Sequence, residues 1–497
     1  MRADPLSSTG AFDDAEQQPD PAAPSHVAYV DQQVTQPEGT DAALLSVRDL
    51  VIEFPQHGYT VTAVDQVSFD LQRGQRLGIV GESGSGKSTL AFSVLGLLEA
   101  PARVARGVIR FGSLDLLRAP DAQIRRIRGG QIAMIFQDAL GSLNPVLTIE
   151  RQLREAIQLH LPISPAQATA RAISLLREVG IPNPETRIQQ FPHEFSGGMR
   201  QRVMIAMALA ADPKLLIADE PTTALDVTTQ AEVIELLLRL SEERGLAVML
   251  ITHDLGLIAG FAHDVLVMYA GAPVEYGAVD QIYYRPRHPY TRSLIAAVPQ
   301  VTSSRLQRLA TIPGWLPEPG TALEGCRFQP RCYLSHGRLP CLQQRPPFDS
   351  TNPALRSACH FPDEVLLEDL PMESPGIEPA AVRDALQPAK GDPAMATLLS
   401  AEGLVKTFSS GYGLIRRKKA TAAVAGVSFA IPRGESFGLV GESGSGKTTV
   451  TRLLLGLTEP DAGVVVFEGA AKHGRRQAGD RARRGRMQVV FQDPADA

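Results

Sequence analysis

The nonapeptide Gly81-Glu82-Ser83-Gly84-Ser85-Gly86-Lys87-Ser88-Thr89 constrains the chain more than any other stretch. Gly81, four residues, then Gly86, Lys87 and Ser88 form the phosphate-loop pattern. Leu77, Ile79 and Val80 before it read as the end of a buried strand, and the run from Leu90 to Leu98 reads as a helix. Glycines at such a turn let successive N–H groups point at an anion, and the helix N-terminus adds partial positive charge. Lys87 is then placed to reach the β- and γ-phosphates of a nucleotide, and the Ser88 hydroxyl to ligate Mg2+. Gly84, Ser85 and Thr89 complete the cradle. The same nonapeptide returns at Gly441 to Thr449, with Thr448 in place of Ser88. Its matching residues are Gly441, Gly444, Ser445, Gly446, Lys447, Thr448 and Thr449. Val427-Ser428-Phe429 mirrors Val67-Ser68-Phe69, so the chain holds an internal repeat.

Three further apolar runs end in polar groups. Ile132 to Phe136 ends at Gln137-Asp138, Leu215 to Ala218 at Asp219-Glu220, and Val248 to Ile251 at Thr252-His253. In an open α/β sheet the carboxyl ends of the strands border the ligand crevice. Adjacent carboxylates there are costly unless a cation or a reaction uses them. Asp219 suits Mg2+, and Glu220 suits polarising a water for attack on a γ-phosphate. His253 is placed to hydrogen-bond that phosphate and orient the water, and Gln137 to touch Mg2+ or the water. Tyr59, just upstream of the Val64 to Leu71 run, suits stacking on a base and equally suits an ordinary strand edge. Phe195-Ser196-Gly197-Gly198-Met199 precedes a helix expected over Arg200 to Ala211. Ser196, Gly197 and Gly198 are a second phosphate cradle. One nucleotide does not need two cradles from one chain, which predicts a site shared across a dimer.

A length of 497 residues suggests about three domains. The net charge of −5 argues against a protein whose main business is holding nucleic acid. No apolar run is long enough to span a bilayer, and Met1 to Pro5 does not open a secretion signal. The expected place is the cytoplasm, with any membrane role coming through a partner. Residues 1–42, rich in Pro, Asp, Gln and Ser, read as disordered.

The whole set resembles an ATP-binding cassette of the ABC transporters. Walker A is Gly81 to Ser88, the Q-loop Gln137, the signature Phe195 to Met199, Walker B Leu215 to Asp219 with the catalytic Glu220, the D-loop Ala224 to Asp226, and the switch histidine His253. The signature departs from the usual Leu-Ser-Gly-Gly-Gln at both ends, with Phe195 and Met199. Ser142-Leu143-Asn144-Pro145, Met268-Tyr269-Ala270-Gly271, Glu275-Tyr276-Gly277 and His288-Pro289-Tyr290-Thr291 are similar to the ATPase subunits of dipeptide and oligopeptide importers, some relatives of which carry nickel. That resemblance implies an α/β P-loop domain with a helical subdomain, followed by a small Cys-rich C-terminal module and a partial second cassette. The expected divisions are 1–42 disordered, 43–300 first cassette, 301–362 Cys-rich module, 363–396 flexible linker and 397–497 second cassette. It also implies ATP and Mg2+, two membrane permease subunits, an extracytoplasmic peptide-binding protein, and a peripheral place on the cytoplasmic face of the membrane.

Cys326, Cys332, Cys341 and Cys359 cluster in one window without a Cys-x-x-Cys pair. Their spacing alone suits a metal and reduced structural thiols equally. The surrounding Gly325 to Cys332, with Ala358-Cys359-His360, resembles the C-terminal module of these ATPases, some of which hold a [4Fe–4S] cluster there; zinc is the alternative.

The second copy runs to Val490-Phe491-Gln492-Asp493, the equivalent of the first Q-loop, and shows no second signature, Walker B or switch histidine. The chain is therefore read as a fragment of a longer fused protein or a truncated product, with a Q-loop strand left at an open sheet edge; pairing of first cassettes between two chains, or with a second ATPase subunit, is the other reading. Basic runs at Arg416 to Lys419 and Arg475 to Arg486 read as solvated loops. Against the importer stand two other classes, a soluble twin-cassette protein acting on ribosomes or DNA and a metal- or redox-sensing regulator built on the cysteines.

Overall fold

The computed structural model describes residues 43–298 apart from 138 and 224, 311–348 apart from 319 and 322, 355–367, 397–410, 419–472 and 486–490. Segment 1–42, Asp138, Ala224, Gln492, nearly all of the 363–396 linker and most of both basic runs lie outside the described residues.

Strands Leu215–Asp219 and Ala247–Thr252 are buried at every residue. Such continuous apolar runs suit parallel strands covered on both faces. They sit in a seven-stranded sheet ordered Leu355–Ser357, Ala272–Ala278, Asp264–Tyr269, Arg76–Val80, Ala247–Thr252, Leu215–Asp219, Ile132–Ile135. The last five are mutually parallel, and the first two pair antiparallel at one edge. Parallel alignment brings the ends of the Arg76, Leu215, Ala247 and Ile132 strands to one border, where the first phosphate loop, Glu220, His253 and Gln137 follow.

The period-two alternation of each strand feeds two cores. Leu77, Ile79, Leu215 and Ile217 face an antiparallel sheet of Tyr59–Leu71, Leu45–Gln56, Arg103–Phe111 and Leu114–Asp115. Leu216, Ala218, Val248 and Leu250 face helices. Among these, Ile149–His160 and Pro165–Glu178 bury Ile149, Leu153 and Ile157 against Ala168, Ala172 and Leu176, at helical spacing. Ser164 and Gln167 close a reciprocal capping box on the second helix.

Three sequence boundaries shift. The Q-loop strand stops at Ile135, leaving Phe136 exposed. The helix expected over Arg200 to Ala211 is Gly197–Ala208, because the Ser196 hydroxyl accepts from Met199 N at 3.3 Å and caps it earlier. Tyr59 opens the strand it was expected to precede.

The repeat is structural in part. Lys419–Pro432, Thr397–Ser410, Ala462–Phe467 and Ala470–Lys472 form a sheet in the same order as the first antiparallel sheet, and Lys447–Leu455 repeats the helix after the phosphate loop. The expected Q-loop strand at an open edge is not found among the described residues. Residues 436–440 and 486–490 form no strand, and Val440 is 90% exposed. Arg76–Val80 in the first copy is hydrogen-bonded on both sides, by Ala247–Thr252 and Asp264–Tyr269. The described residues of the second copy include no counterpart of either neighbour, and a strand without neighbours leaves its backbone groups to water.

Candidate nucleotide site

The first phosphate loop is fixed by its glycines. Gly84 and Gly86 have φ of 81° and 93°, and Gly86 caps helix Lys87–Val94. A Cβ on Gly86 would collide with the Ala63 carbonyl oxygen. Lys87 Nζ donates to the carbonyls of Gly81 and Glu82 at 2.8 and 2.9 Å. Burial lowers its pKa, against the opposing pull of Glu220, Asp219 and Glu82. The buried Ser85 hydroxyl has no hydrogen-bond partner among the described residues.

Asp219 is buried, and its Oδ1 likewise has no partner among the described residues. Burial raises its pKa, and a hydrogen bond with Ser88 pulls the other way. A hydroxyl and a buried carboxylate side by side, with one carboxylate oxygen orphaned, fit a divalent cation.

Glu220 sits where the strand breaks into a turn, at φ 46°, its N–H donating to Ile251 O at 2.8 Å. Its Oε2 accepts from Gln137 Nε2 at 3.1 Å and from Thr223 Oγ1 at 2.9 Å, and His253 Nδ1 lies 3.3 Å from Oε1. Three strand ends thus meet on one carboxylate that can orient a water molecule. Thr223 was not singled out from sequence; its signal was its place in the turn that returns its N–H to Glu220 O at 3.1 Å.

The second cradle lies elsewhere. Ser196 and Gly197 are exposed at their helix start. A Cβ on Gly198 would press on Thr229, whose N–H and hydroxyl both donate to the Asp226 carboxylate. Asp226 Oδ2 also accepts from Ser443 N, in the second phosphate loop, at 3.2 Å. A cavity of about 820 Å3 runs between Leu225 to Thr228 and Leu439 to Thr449. The second loop repeats the first in conformation: Gly444 and Gly446 have φ of 80° and 96°, and Lys447 Nζ reaches Gly441 O and Glu442 O at 2.7 Å each.

The ABC transporter family model matches residues 64–223 and 424–497, and the model of the oligopeptide/dipeptide transporter C-terminal region matches 274–338. The dipeptide transport ATP-binding protein DppD of Escherichia coli is 46% identical over 320 residues, covering 64% of this chain and 97% of that one. The chain belongs to the ATP-binding proteins of the oligopeptide/dipeptide ABC transporter family. It is an ABC ATPase with the α/β cassette fold. The oligopeptide transport ATP-binding protein OppD of Mycobacterium tuberculosis is 40% identical over 457 residues, 91% of this chain and 72% of that protein. A dimeric bacterial ABC transporter cassette, MJ0796, aligns with 47% of this chain and 98% of its own at 26% identity and a TM-score of 0.43.

The C-terminal region of this ABC ATPase reaches the phosphate loop itself. Glu275 is fully buried and accepts from the N–H groups of Arg287 and His288 at 2.7 and 3.0 Å; burial pushes its carboxyl up to about 7. His288, pushed down to about 3 by burial, accepts from Tyr290 N at 3.1 Å. The Tyr290 hydroxyl accepts the Glu82 N–H at 2.9 Å. The His288 to Thr291 motif is therefore a brace under the loop, a role that sequence reasoning missed.

The four cysteines line one cavity with His288, Phe328 and His360. It measures about 10 Å3, room for roughly one water. Among the described residues no three His, Cys, Asp or Glu side chains are disposed to hold a metal ion. A four-iron cluster does not fit this cavity as it stands. Burial pushes Cys332 and Cys359 up to about 12, so in this arrangement they are neutral thiols.

Proposed function

We propose that the chain is the ATP-hydrolysing subunit that energises import of dipeptides or oligopeptides through a membrane ABC transporter. The carrying observation is the convergence of Gln137, Thr223 and His253 on Glu220 at the strand border that also presents Lys87 and Asp219. In this reading Gly81, Gly84, Ser85, Gly86, Lys87, Ser88 and Thr89 hold the phosphates and Tyr59 faces the base. Ser88 and Asp219 hold Mg2+, and Glu220 with His253 and Gln137 positions the attacking water. Catalysis is mainly electrostatic, through charges placed before the reaction begins. The relatives named for dipeptide and oligopeptide transport supply the substrate class.

The permease contact falls on an apolar groove of about 410 Å3 lined by Leu97, Met134, Phe136, Leu159, Met204 and Met207, beside Gln137. No helix among the described residues is long and apolar enough to cross a membrane. Such a groove suits two permease subunits holding the protein at the cytoplasmic face, with a peptide-binding protein acting from outside.

The twin-cassette reading, with divisions at 43–300, 301–362, 363–396 and 397–497, is supported by the double match of the transporter model and by the 457-residue span shared with OppD. Gly441 to Thr449 then binds a second nucleotide against Asp226 and the Ser196 to Gly198 cradle of the same chain. For Cys326, Cys332, Cys341 and Cys359 the proposal is a four-thiolate centre, a [4Fe–4S] cluster with zinc as the alternative; either one requires the cavity walls to move, since among the described residues no three such side chains are disposed to hold a metal ion.

The deciding experiment measures ATPase rate per mole against protein concentration, with Glu220→Gln as blank, alone and with the two permease subunits in vesicles. A rate that climbs with concentration means that first cassettes pair between chains. A rate at the blank level alone that rises with the permease means that partners complete the engine. A blank-level rate in every arrangement sinks the proposal.

A further inference from the structure

The C-terminal region lays one cation on the first phosphate loop. Arg331 precedes Cys332 and is only 8% exposed. Its guanidinium grips both oxygens of Glu82, Nη1 to Oε2 at 2.8 Å and Nη2 to Oε1 at 3.0 Å. Nε donates to Pro313 O at 2.8 Å, and the guanidinium lies 5.7 Å from the Tyr269 ring centroid. This fork is held on three sides, so its geometry is set before any ligand arrives.

Glu82 is the second residue of the phosphate loop, and every polar group it has is engaged. Its N–H goes to Tyr290, its carbonyl accepts from Lys87, and its carboxylate takes Arg331. The same region meets the other end of the site: a Cβ on Gly320 would stand 2.6 Å from Tyr59 Cδ2. The second loop, alike in sequence and backbone, leaves Glu442 exposed.

We infer that Arg331 is a positioning residue for ATP in the first cassette: it neutralises Glu82 and turns its carboxylate off the cradle, so that the C-terminal region sets nucleotide affinity. The inference rests on reading Gly81 to Thr89 as a nucleotide site. A released Glu82 carboxylate would repel the triphosphate and compete with it for Lys87. Arg331 is held by Glu82 and Pro313 O and is not among the groups that meet on Glu220, so its effect falls on binding and leaves the chemical step alone.

The test determines KM and kcat for ATP, and the Kd of a fluorescent ATP analogue, in the full chain under conditions where the unaltered chain turns over. The variants are Arg331→Met, Glu82→Gln and both together. Arg331→Met is expected to raise KM and Kd by about tenfold, the size of one lost charge interaction of about 1.4 kcal/mol, with kcat little changed. Adding Glu82→Gln should restore both to within about twofold, because the carboxylate that Arg331 masks is gone. A double variant no better than Arg331→Met would mean that Arg331 only supports the fold, and an unchanged KM in Arg331→Met would overturn the inference outright. If Arg331→Met does not fold, Arg331→Gln with and without Glu82→Gln carries the same comparison, since Gln keeps hydrogen-bond donors and loses the charge. An unaltered chain that binds no nucleotide would instead sink the site reading itself.

Discussion

Gln137 and Glu220 are joined across the strand border, Gln137 Nε2 donating to Glu220 Oε2 at 3.1 Å. Thr223 donates to the same oxygen, leaving Oε1 to face His253. Glu220→Gln keeps the shape and loses the carboxylate charge that polarises water. ATP turnover should fall by about 100-fold or more while ATP binding survives, as for removal of a general base. Turnover within about threefold of the unaltered chain would remove Glu220 from that role. Lys87→Ala should lose ATP binding itself, because the loop then has no side-chain cation.

The two glycines of the loop separate crowding from backbone strain. Gly84, at φ 81°, has open space where a Cβ would stand, so Gly84→Ala carries only the left-handed backbone cost of about 1–2 kcal/mol. Gly86, at φ 93°, carries the same strain plus a collision with Ala63 O, on the neighbouring strand. Gly86→Ala should lower the melting temperature more than Gly84→Ala and should abolish nucleotide binding. Equal losses in the two variants would show that the Ala63 strand yields freely.

Much of the site was legible because it is local. A phosphate loop is specified by its own nine residues, which is why Gly441 to Thr449 takes the same φ values although no strand flanks it. Strand ends were legible as apolar runs closing on Gln137, Glu220 and His253. Contacts distant in sequence were not. Nothing in the spacing of Glu82 and Arg331, or of Asp226 and Ser443, signals that they meet. Among the described residues the second copy has no central sheet, and the origin is the same: residues 436–440 carry the strand pattern of Arg76–Val80, but a strand forms only where partners exist to take its hydrogen bonds.

The cysteine cavity predicts slow chemistry in the metal-free chain. Cys332 and Cys359 are protonated at neutral pH, since burial pushes both up to about 12. Maleimide labelling of the native chain should therefore be much slower than after unfolding. Elemental analysis of freshly purified protein should find zinc or iron, lost in Cys332→Ser together with Cys359→Ser. Fast labelling of a chain without either metal would leave four ordinary thiols there.

Glu275 and His288 give stability opposing dependences on pH. Glu275 titrates at about 7 when folded, against an ordinary 4.5, because burial disfavours its charge. From pH 4.5 to 7 the unfolded chain gives up this proton and the folded chain keeps it, so stability falls as pH rises through that window. His288 titrates at about 3 when folded, against 6.5, again through burial. From pH 3 to 6.5 the unfolded chain takes up a proton that folded His288 refuses, so stability rises with pH there. Between 4.5 and 6.5 the two slopes offset each other. Glu275→Gln removes only the falling one. The variant's stability, measured by urea unfolding, should climb relative to the unaltered chain by about 1.4 kcal/mol per pH unit across that range. Parallel profiles would mean that Glu275 is ionised in the fold throughout, with Arg287 N–H and His288 N–H holding the charge.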